Sequence, residues 1–311
     1  MTAELIPDYG QRMSEVAAVR RFNRVITQRV GALEDEYLSG HRSLGLSRLL
    51  WEISPEGTEV RSLRARLGLD SGYVSRQLRV LESQGLVQVS ADFGSEDGRV
   101  RTARLTAAGA AERELLDRAS DELAESMLRP LTAGQRARLV AAMAEAEKLI
   151  IASLVRVEIT DPRRPEARYC QRSYFEELSR RFEAGFDPSQ SISASDDEVS
   201  LPAGLLLVAT LQGDPVGCGA LKLHPDTGIG EVKRMWVSQS VRGLGLGRRL
   251  LEALAGEACS RGMRTLRLET NQTLSEARHL YETAGFVEVE AFNNEPYAHH
   301  WFQRDLADTA R

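Results

Sequence analysis

VRGLGLGRRLLEAL, residues 241–254, decides how the second half of this chain is read. Gly243, Gly245 and Gly247 stand at alternate positions and carry no side chain, so successive backbone N–H groups there can converge on one point. Leu250, Leu251 and Leu254 then recur at helical spacing. The first N–H groups of a helix have no partner of their own, and the helix dipole favours negative charge beside them. The stretch therefore predicts a glycine turn that opens a helix and holds an anion, most simply a phosphate.

Several readings of such a turn compete. A P-loop needs Lys-Ser or Lys-Thr after its last glycine, and here Gly247 is followed by Arg248 and Arg249. A dinucleotide fingerprint spaces its glycines G-x-G-x-x-G, one residue longer than this run. Glu269, at a strand end about twenty residues on, nevertheless stands where an acid would meet a ribose. A flexible loop that binds nothing is a further reading.

Outward from the turn, the chain reads as mixed α and β. EVKRMWV (231–237) is a strand candidate before the turn, with TLRLETN (265–271) a strand and SEARHLYETA (275–284) a helix after it. FVEVEAF (286–292) and AHHWFQRDL (298–306) suggest closing strands. Upstream, VRVEIT (155–160) reads as a strand, 165–185 as a helix and 185–204 as a Gly/Pro/Ser/Asp-rich loop. GLLLVATL and VGCGALKL, joined by Gly213-Asp214-Pro215, form a hairpin. His299 and His300 are neighbours on a strand and so point to opposite faces, which argues against a metal pair and puts one of them at the surface.

Residues 8–150 have another character, mostly helical. A long helix is expected over 11–38, with Val16, Val19, Phe22, Ile26, Val30 and Leu33 on one stripe. Shorter helices are expected around 43–53 and 58–68, and an alanine-rich one over 133–153. Between them lies LRARLGLDSGYVSRQLRVLESQGLV, residues 63–87. Gly68 and Asp70-Ser71 stop one helix and cap the next. Val74, Leu78 and Leu81 face inward, leaving Tyr73, Ser75, Arg76 and Arg79 outside. Five arginines and one acid, Asp70, occupy 61–81. This is the pattern of a helix-turn-helix, in which Arg76 suits a guanine edge, Ser71 and Ser75 suit phosphates or base edges, and Arg79 adds positive charge. LVQVSADFGSEDGRVRTARLT then gives two alternating runs around a turn-rich tip, with Arg99 and Arg101 placed to meet a phosphate or a minor groove.

The whole-chain numbers agree with two soluble domains. The 311 residues are 42% hydrophobic and 27% charged, with a net charge of −5, which argues against unspecific coating of nucleic acid but not against a local basic face. No apolar run is long enough to span a membrane and the N-terminus lacks a signal-peptide pattern. The three cysteines, Cys170, Cys218 and Cys259, give neither a disulfide framework nor a zinc pattern, so a reducing cytoplasm is expected and no metal. Lysine occurs only at 148, 222 and 233, so arginine richness reads as composition bias rather than function.

Two family resemblances follow. VSRQLRVLESQGLV, the Asp97-Gly98-Arg99 wing and LTAAG (105–109) resemble the MarR family of winged-helix regulators, with departures at Gln88-Val89 and the wing acids Glu96 and Asp97. That resemblance implies a DNA-binding homodimer paired through the flanking long helices. RGLGLG (242–247), with Asn271, Ala277, Tyr281, Gly285 and Phe286 downstream, resembles the GNAT acetyltransferases. It implies a mixed, mostly antiparallel sheet with helices on both faces, and acetyl-CoA as the anion.

By this second resemblance Met235, Val237 and Asn271 meet the pantetheine, the N–H near Val237 polarising the thioester carbonyl. Arg242, Gly243, Leu244, Gly245, Gly247 and Arg248 hold the pyrophosphate. Tyr281 is the general acid and Glu231 the general base. Arg234, Asn293 and Tyr297 are candidates for the amine pocket, Arg234 holding a carboxylate if the acceptor is an amino acid or a relative. The expectation is thus a cytoplasmic protein with a regulator domain over 1–153, binding double-stranded DNA as a homodimer, fused to an N-acetyltransferase domain over 154–311 that acts on a small amine. The alternatives are a regulator whose second half only senses CoA or a metabolite, and an enzyme whose first half serves only to dimerise.

Overall fold

Gly204–Leu211 is buried along most of its length, and its alternation organises the second half of the molecule. In the computed structural model, which describes residues 6–32, 38, 42–92, 100–183, 185–192 and 194–306, the chain divides into two units, Met1–Ala141 and Ala142–Arg311. The division falls inside a long helix; the expected boundary at 153/154 lies at that helix's end.

The first unit opens with α1 (Ile6–Arg29) and α2 (Leu44–Trp51). The expected 11–38 helix therefore stops at Arg29. Gly31 takes a left-handed conformation (φ 69°), Gly31 N–H bonds back to Gln28 O and Ala32 N–H to Thr27 O, a glycine-terminated end that the apolar stripe concealed. A short strand β1 (Thr58–Glu59), α3 (Val60–Leu67) and α4 (Ser71–Ser83) follow. Gly68 ends α3 at φ 63°, and Asp70 caps α4 by accepting from Tyr73 N–H at 2.8 Å. β2 (Val87–Asp92) and β3 (Val100–Leu105) pair antiparallel, and β1 adds to β3. Leu63, Val74, Leu78 and Leu81 are buried in one core with Leu49, Leu50 and Ile53 of the α2 region. The helices α5 (Ala107–Leu128) and α6 (Ala133–Leu154) close this half of the chain.

The second unit holds a seven-stranded sheet in the order β4-β5-β6-β7-β8-β10-β9. Its strands are β4 (Arg156–Ile159), β5 (Gly204–Leu211), β6 (Asp214–His224), β7 (Ile229–Val237), β8 (Thr265–Thr270), β9 (Val287–Val289) and β10 (His300–Asp305). β9 is shorter than the seven residues expected of it. Neighbouring strands are antiparallel except β7 and β8. Three helices cover the sheet: α7 (Pro165–Arg181), α8 (Leu246–Ser260) and α9 (Ser275–Thr283). Leu205, Leu207 and Ala209 of β5 pack with Leu250, Leu251 and Leu254 of α8. Leu206 and Val208 turn the other way, onto Ala167 and Cys170 of α7. A strand covered on both faces must be apolar at every position, which is why GLLLVATL shows no polar alternation. Each fully buried leucine contributes roughly 1.5–3 kcal/mol by leaving water. Among the described residues no helix is long and apolar enough to cross a membrane.

Candidate active site

The site begins where two strands part. β7 and β8 pair only from Ile229↔Thr265 to Glu231↔Arg267, yet β7 runs on to Val237 and β8 to Thr270. On its other side β7 slips register against β6 between Cys218 and Ala220. Arg234 sits at that irregularity with φ 52°, a conformation few non-glycine residues adopt. Its buried guanidinium donates to Gln171 Oε1 of α7 and to the carbonyl of Ala194, which hold the distortion in place.

At the far end of β7 a single 3-10 turn, Gln239–Val241, leads into the glycines. Gly243 (φ 81°) and Gly245 (φ 75°) are both left-handed, and a Cβ at either would meet open space. The glycines are thus required by backbone conformation rather than by crowding. Arg249 N–H is the first to close the α8 ladder, onto Gly245 O at 3.1 Å. The N–H groups of Gly243, Gly245, Gly247 and Arg248 meet no acceptor among the described residues. The turn is the convergent donor set that an anion needs.

Two cavities meet in the gap between β7 and β8. The larger, about 560 Å³, is bounded by the glycine turn, the end of β7 and α9. The smaller, about 110 Å³, lies between α7, the loop after it and the closing segment around Tyr297. Tyr174, Met235 and Tyr281 line both. Tyr281 is buried, and its hydroxyl has no hydrogen-bond partner among the described residues. Burial, and then the charge of Glu269, push the Tyr281 phenol well above its usual range, so it stays protonated. Burial does the same to Tyr174.

A chain of three charges runs beside the smaller cavity. Lys233 Nζ lies 2.8 Å from Glu231 and also bonds Glu269 Oε1. Burial alone would lower the Lys233 ammonium, but the two carboxylates outweigh it and hold it above its ordinary value. Burial pushes Glu269 up, against the pull of Lys233. Burial also opposes ionisation of Glu231, but there Lys233 prevails, with help from Lys222 and His224, and the carboxyl is held low.

The structure gathers most of the expected site residues and displaces several. Met235, Val237, Arg242, Gly243, Gly245, Gly247 and Arg248 line the larger cavity; Leu244 does not, and packs against the core instead. Glu231 lines neither cavity, whereas Glu269 lines the smaller one. Glu231 lies where β7 is still paired with β8, opposite Arg267 and short of the point where the strands part, and there it pairs with Lys233. Arg234 lines the smaller cavity, but its guanidinium is engaged by protein groups rather than presented to a carboxylate. Asn271 donates to Tyr297 O at 2.7 Å and accepts from Thr273 N–H and Oγ, so its amide braces the turn after β8. Asn293 lies off the cavity and accepts from Trp301 Nε1 at 2.8 Å. Tyr297 is in the wall as expected. His299 is exposed and His300 meets Glu288 at 2.6 Å.

Sequence reasoning missed Tyr174, Phe175 and Glu177, all on α7, a stretch read only as a helix. Their signal was a cluster of aromatics and an acid on one short stretch, YFEE (174–177).

In the first unit, Ser71, Arg76 and Arg79 are exposed on α4, and neither arginine has an ion-pair partner among the described residues. Ser75 is half-buried. Tyr73, expected outside, is half-buried instead, its hydroxyl so near the start of α2 that a Cβ on Gly45 would lie 2.6 Å from it. Arg101 is exposed on β3, while Arg99 and the tip around Gly98 lie outside the described residues.

The family model described as acetyltransferase (GNAT) family matches residues 171–286. An IAA acetyltransferase of Azospirillum brasilense is 43% identical over 91 residues, 29% of this chain and 58% of that protein, so the chain spans little more than half of this relative. The uncharacterized N-acetyltransferase YsnE of Bacillus subtilis is 38% identical over 108 residues, covering 34% of this chain and 71% of that protein. An acetyltransferase of the GNAT family from Staphylococcus aureus superposes with a TM-score of 0.42 at 16% identity, over 49% of this chain and 99% of that one.

Proposed function

The chain belongs to the acetyltransferase (GNAT) family, and on that premise we propose that its second half transfers the acetyl group of acetyl-CoA to the amine of a small molecule. The observation that carries this is the meeting of two cavities at Tyr281: one bounded by an anion-binding turn, the other by the carboxylate of Glu269. Acetyl-CoA fits the larger one. Its diphosphate suits the N–H groups of Gly243, Gly245, Gly247 and Arg248, and its pantetheine amides suit the part of β7 that β8 leaves unpaired. Val237 N–H polarises the thioester carbonyl, a type of contact that supplies roughly 3 kcal/mol in oxyanion sites.

An amine must lose a proton before its lone pair can attack. The acceptor nitrogen then bonds the acetyl carbon as the C–S bond breaks. Tyr281 gives its hydroxyl proton to the departing sulfur. In water a phenol is a weaker acid than a thiol, but burial raises both groups together, so position rather than acidity drives the transfer. Incubation of the full chain with acetyl-CoA and an amine panel, followed by thiol release and mass spectrometry, tests the reading. Absence of acetyl-CoA binding at millimolar concentration in calorimetry would overturn it.

The first half supports a second activity, DNA binding by a winged helix-turn-helix of MarR type. The exposed Ser71, Arg76 and Arg79 on a capped helix, with Arg101 on the adjoining antiparallel pair, suit a groove and its phosphates. Val16, Val19 and Phe22 are exposed along α1, as is Val140 on α6, apolar surface that suits pairing of two copies. Band shifts on the DNA upstream of the protein's own reading frame test this. Binding that weakens steeply with salt and is lost in Arg76→Ala supports it; no shift at low salt rules it out.

A further inference from the structure

We infer that the acetyl acceptor is a primary amine carried on a flat apolar body without a carboxylate, its nitrogen seated on Glu269, which acts as the catalytic base. This rests on the acetyl-transfer reading above.

Glu269, the penultimate residue of β8, lines the smaller cavity with its side chain only 9% exposed. Oε1 bonds Lys233, whereas Oε2 is buried and has no hydrogen-bond donor among the described residues. A buried carboxylate oxygen without a donor is costly unless a ligand supplies one. Lys233 cannot supply it alone, because its ammonium is shared with Glu231. Two carboxylates and one ammonium leave a net negative charge beside the cavity, which selects a cation. The groups facing Glu269 are Lys233 and Glu231 on β7, Glu295 in the closing segment, and the phenols Tyr174 and Tyr281. Glu295 is already saturated by Ser191 Oγ, Ile192 N–H and Tyr297 N–H.

The two cations of the same wall, Lys233 and Arg234, are engaged by protein groups. Arg234 spends its guanidinium on Gln171 and Ala194 and lies 5.6 Å from the Phe175 ring. Aromatic rings cluster in this wall among aliphatic side chains: Phe175 stacks on Phe186 at 5.8 Å, and Tyr297 lies 4.8 Å from Phe186 and 5.8 Å from Phe182. Two of these ring pairs are stacked, within 28° of parallel, and such a cluster favours an aromatic body, which is itself flat and apolar.

The protons balance as follows. The ammonium gives one proton to Glu269 Oε2 and binds as the neutral amine. Its nitrogen bonds the acetyl carbon, the C–S electrons leave on sulfur, and sulfur takes the proton of Tyr281. The second nitrogen proton restores Tyr281, and Glu269 returns its proton to solvent. The products are the amide, the free thiol and one proton.

The test is steady-state kinetics of the full chain with saturating acetyl-CoA and 2-phenylethylamine, butylamine or phenylalanine, after calorimetry with acetyl-CoA alone. The expected kcat/KM for 2-phenylethylamine exceeds that for phenylalanine at least 100-fold and that for butylamine at least 10-fold. Glu269→Gln should lower kcat/KM at least 50-fold and abolish its acid limb while leaving acetyl-CoA affinity and Tm unchanged, with partial rescue by Glu269→Asp. Acetyl-CoA binding and turnover with phenylalanine or butylamine equal to or better than 2-phenylethylamine overturns this inference and leaves acetyl transfer standing. A Glu269→Gln variant with undiminished kcat/KM, or one whose loss of activity follows a fall in Tm and acetyl-CoA affinity, also overturns it. Failure to bind acetyl-CoA removes both.

Discussion

Nη2 of Arg242 lies 2.7 Å from each carboxylate oxygen of Glu177, so one acid on α7 grips the arginine that opens the glycine turn. Glu177 also accepts from Trp236 Nε1 at 3.1 Å and pairs with Arg181 at 3.3 Å. The turn is thereby tied to a helix some sixty residues away in sequence. Because Arg242 is 39% exposed, solvent discounts the pair. Glu177→Ala is expected to weaken acetyl-CoA binding by about 1 kcal/mol, roughly fivefold in Kd, with kcat unchanged at saturation; calorimetry and kinetics check it.

Gly245 should tolerate a side chain in space but not in conformation. At φ 75° an L-residue costs roughly 1–2 kcal/mol. Gly245→Asp adds a negative charge beside the expected diphosphate. Acetyl-CoA titration should show little or no binding to this variant, while Gly245→Ala loses about tenfold, the affinity equivalent of that strain.

Tyr281→Phe removes a hydroxyl that has no protein partner, so Tm should be unchanged. Loss of a general acid costs on the order of a hundredfold in kcat. Unaltered turnover in this variant would mean that sulfur takes its proton elsewhere.

The pH dependence follows from Lys233. Burial raises Glu269 and Lys233 restrains that rise. The working form is the carboxylate, so kcat/KM falls as pH drops through the raised value. Lys233→Met removes the restraint, and the acid limb should move to higher pH. Stability carries the matching sign. A carboxyl whose folded value lies above its unfolded one resists folding when ionised, so the variant's Tm deficit at neutral pH should shrink on acidification. The lysine's own raised value means its contribution is intact at neutral pH and is lost only above the ordinary lysine range.

What the sequence disclosed was whatever depends on local conformation. Gly243 and Gly245 were legible because left-handed backbone has few other tenants, and α8 because Leu250, Leu251 and Leu254 repeat at helical spacing. β5 was legible from its unbroken apolar run. Contacts between distant segments were not. Glu177 meets Arg242, and Tyr174 meets the cavities, only once α7 crosses the sheet. Glu269 looked like an acid for a ribose because spacing alone cannot say what a strand end faces. Arg234 looked like a substrate anchor because no local pattern announces a left-handed arginine held by Gln171. The early end of α1 was written in Gly31, but a regular apolar stripe ran past it.

A strand whose bonding groups face open space is ordinarily a hazard, since any passing polypeptide can zip onto it. Here such a rim is created in the middle of a sheet, where β7 runs on after its ladder with β8 has ended. α7 and α9 supply walls to the cleft beside it, so the unpaired stretch of β7 lies within a cavity rather than on an open edge. The molecule thus keeps an adhesive edge without the risk of sticking to its neighbours.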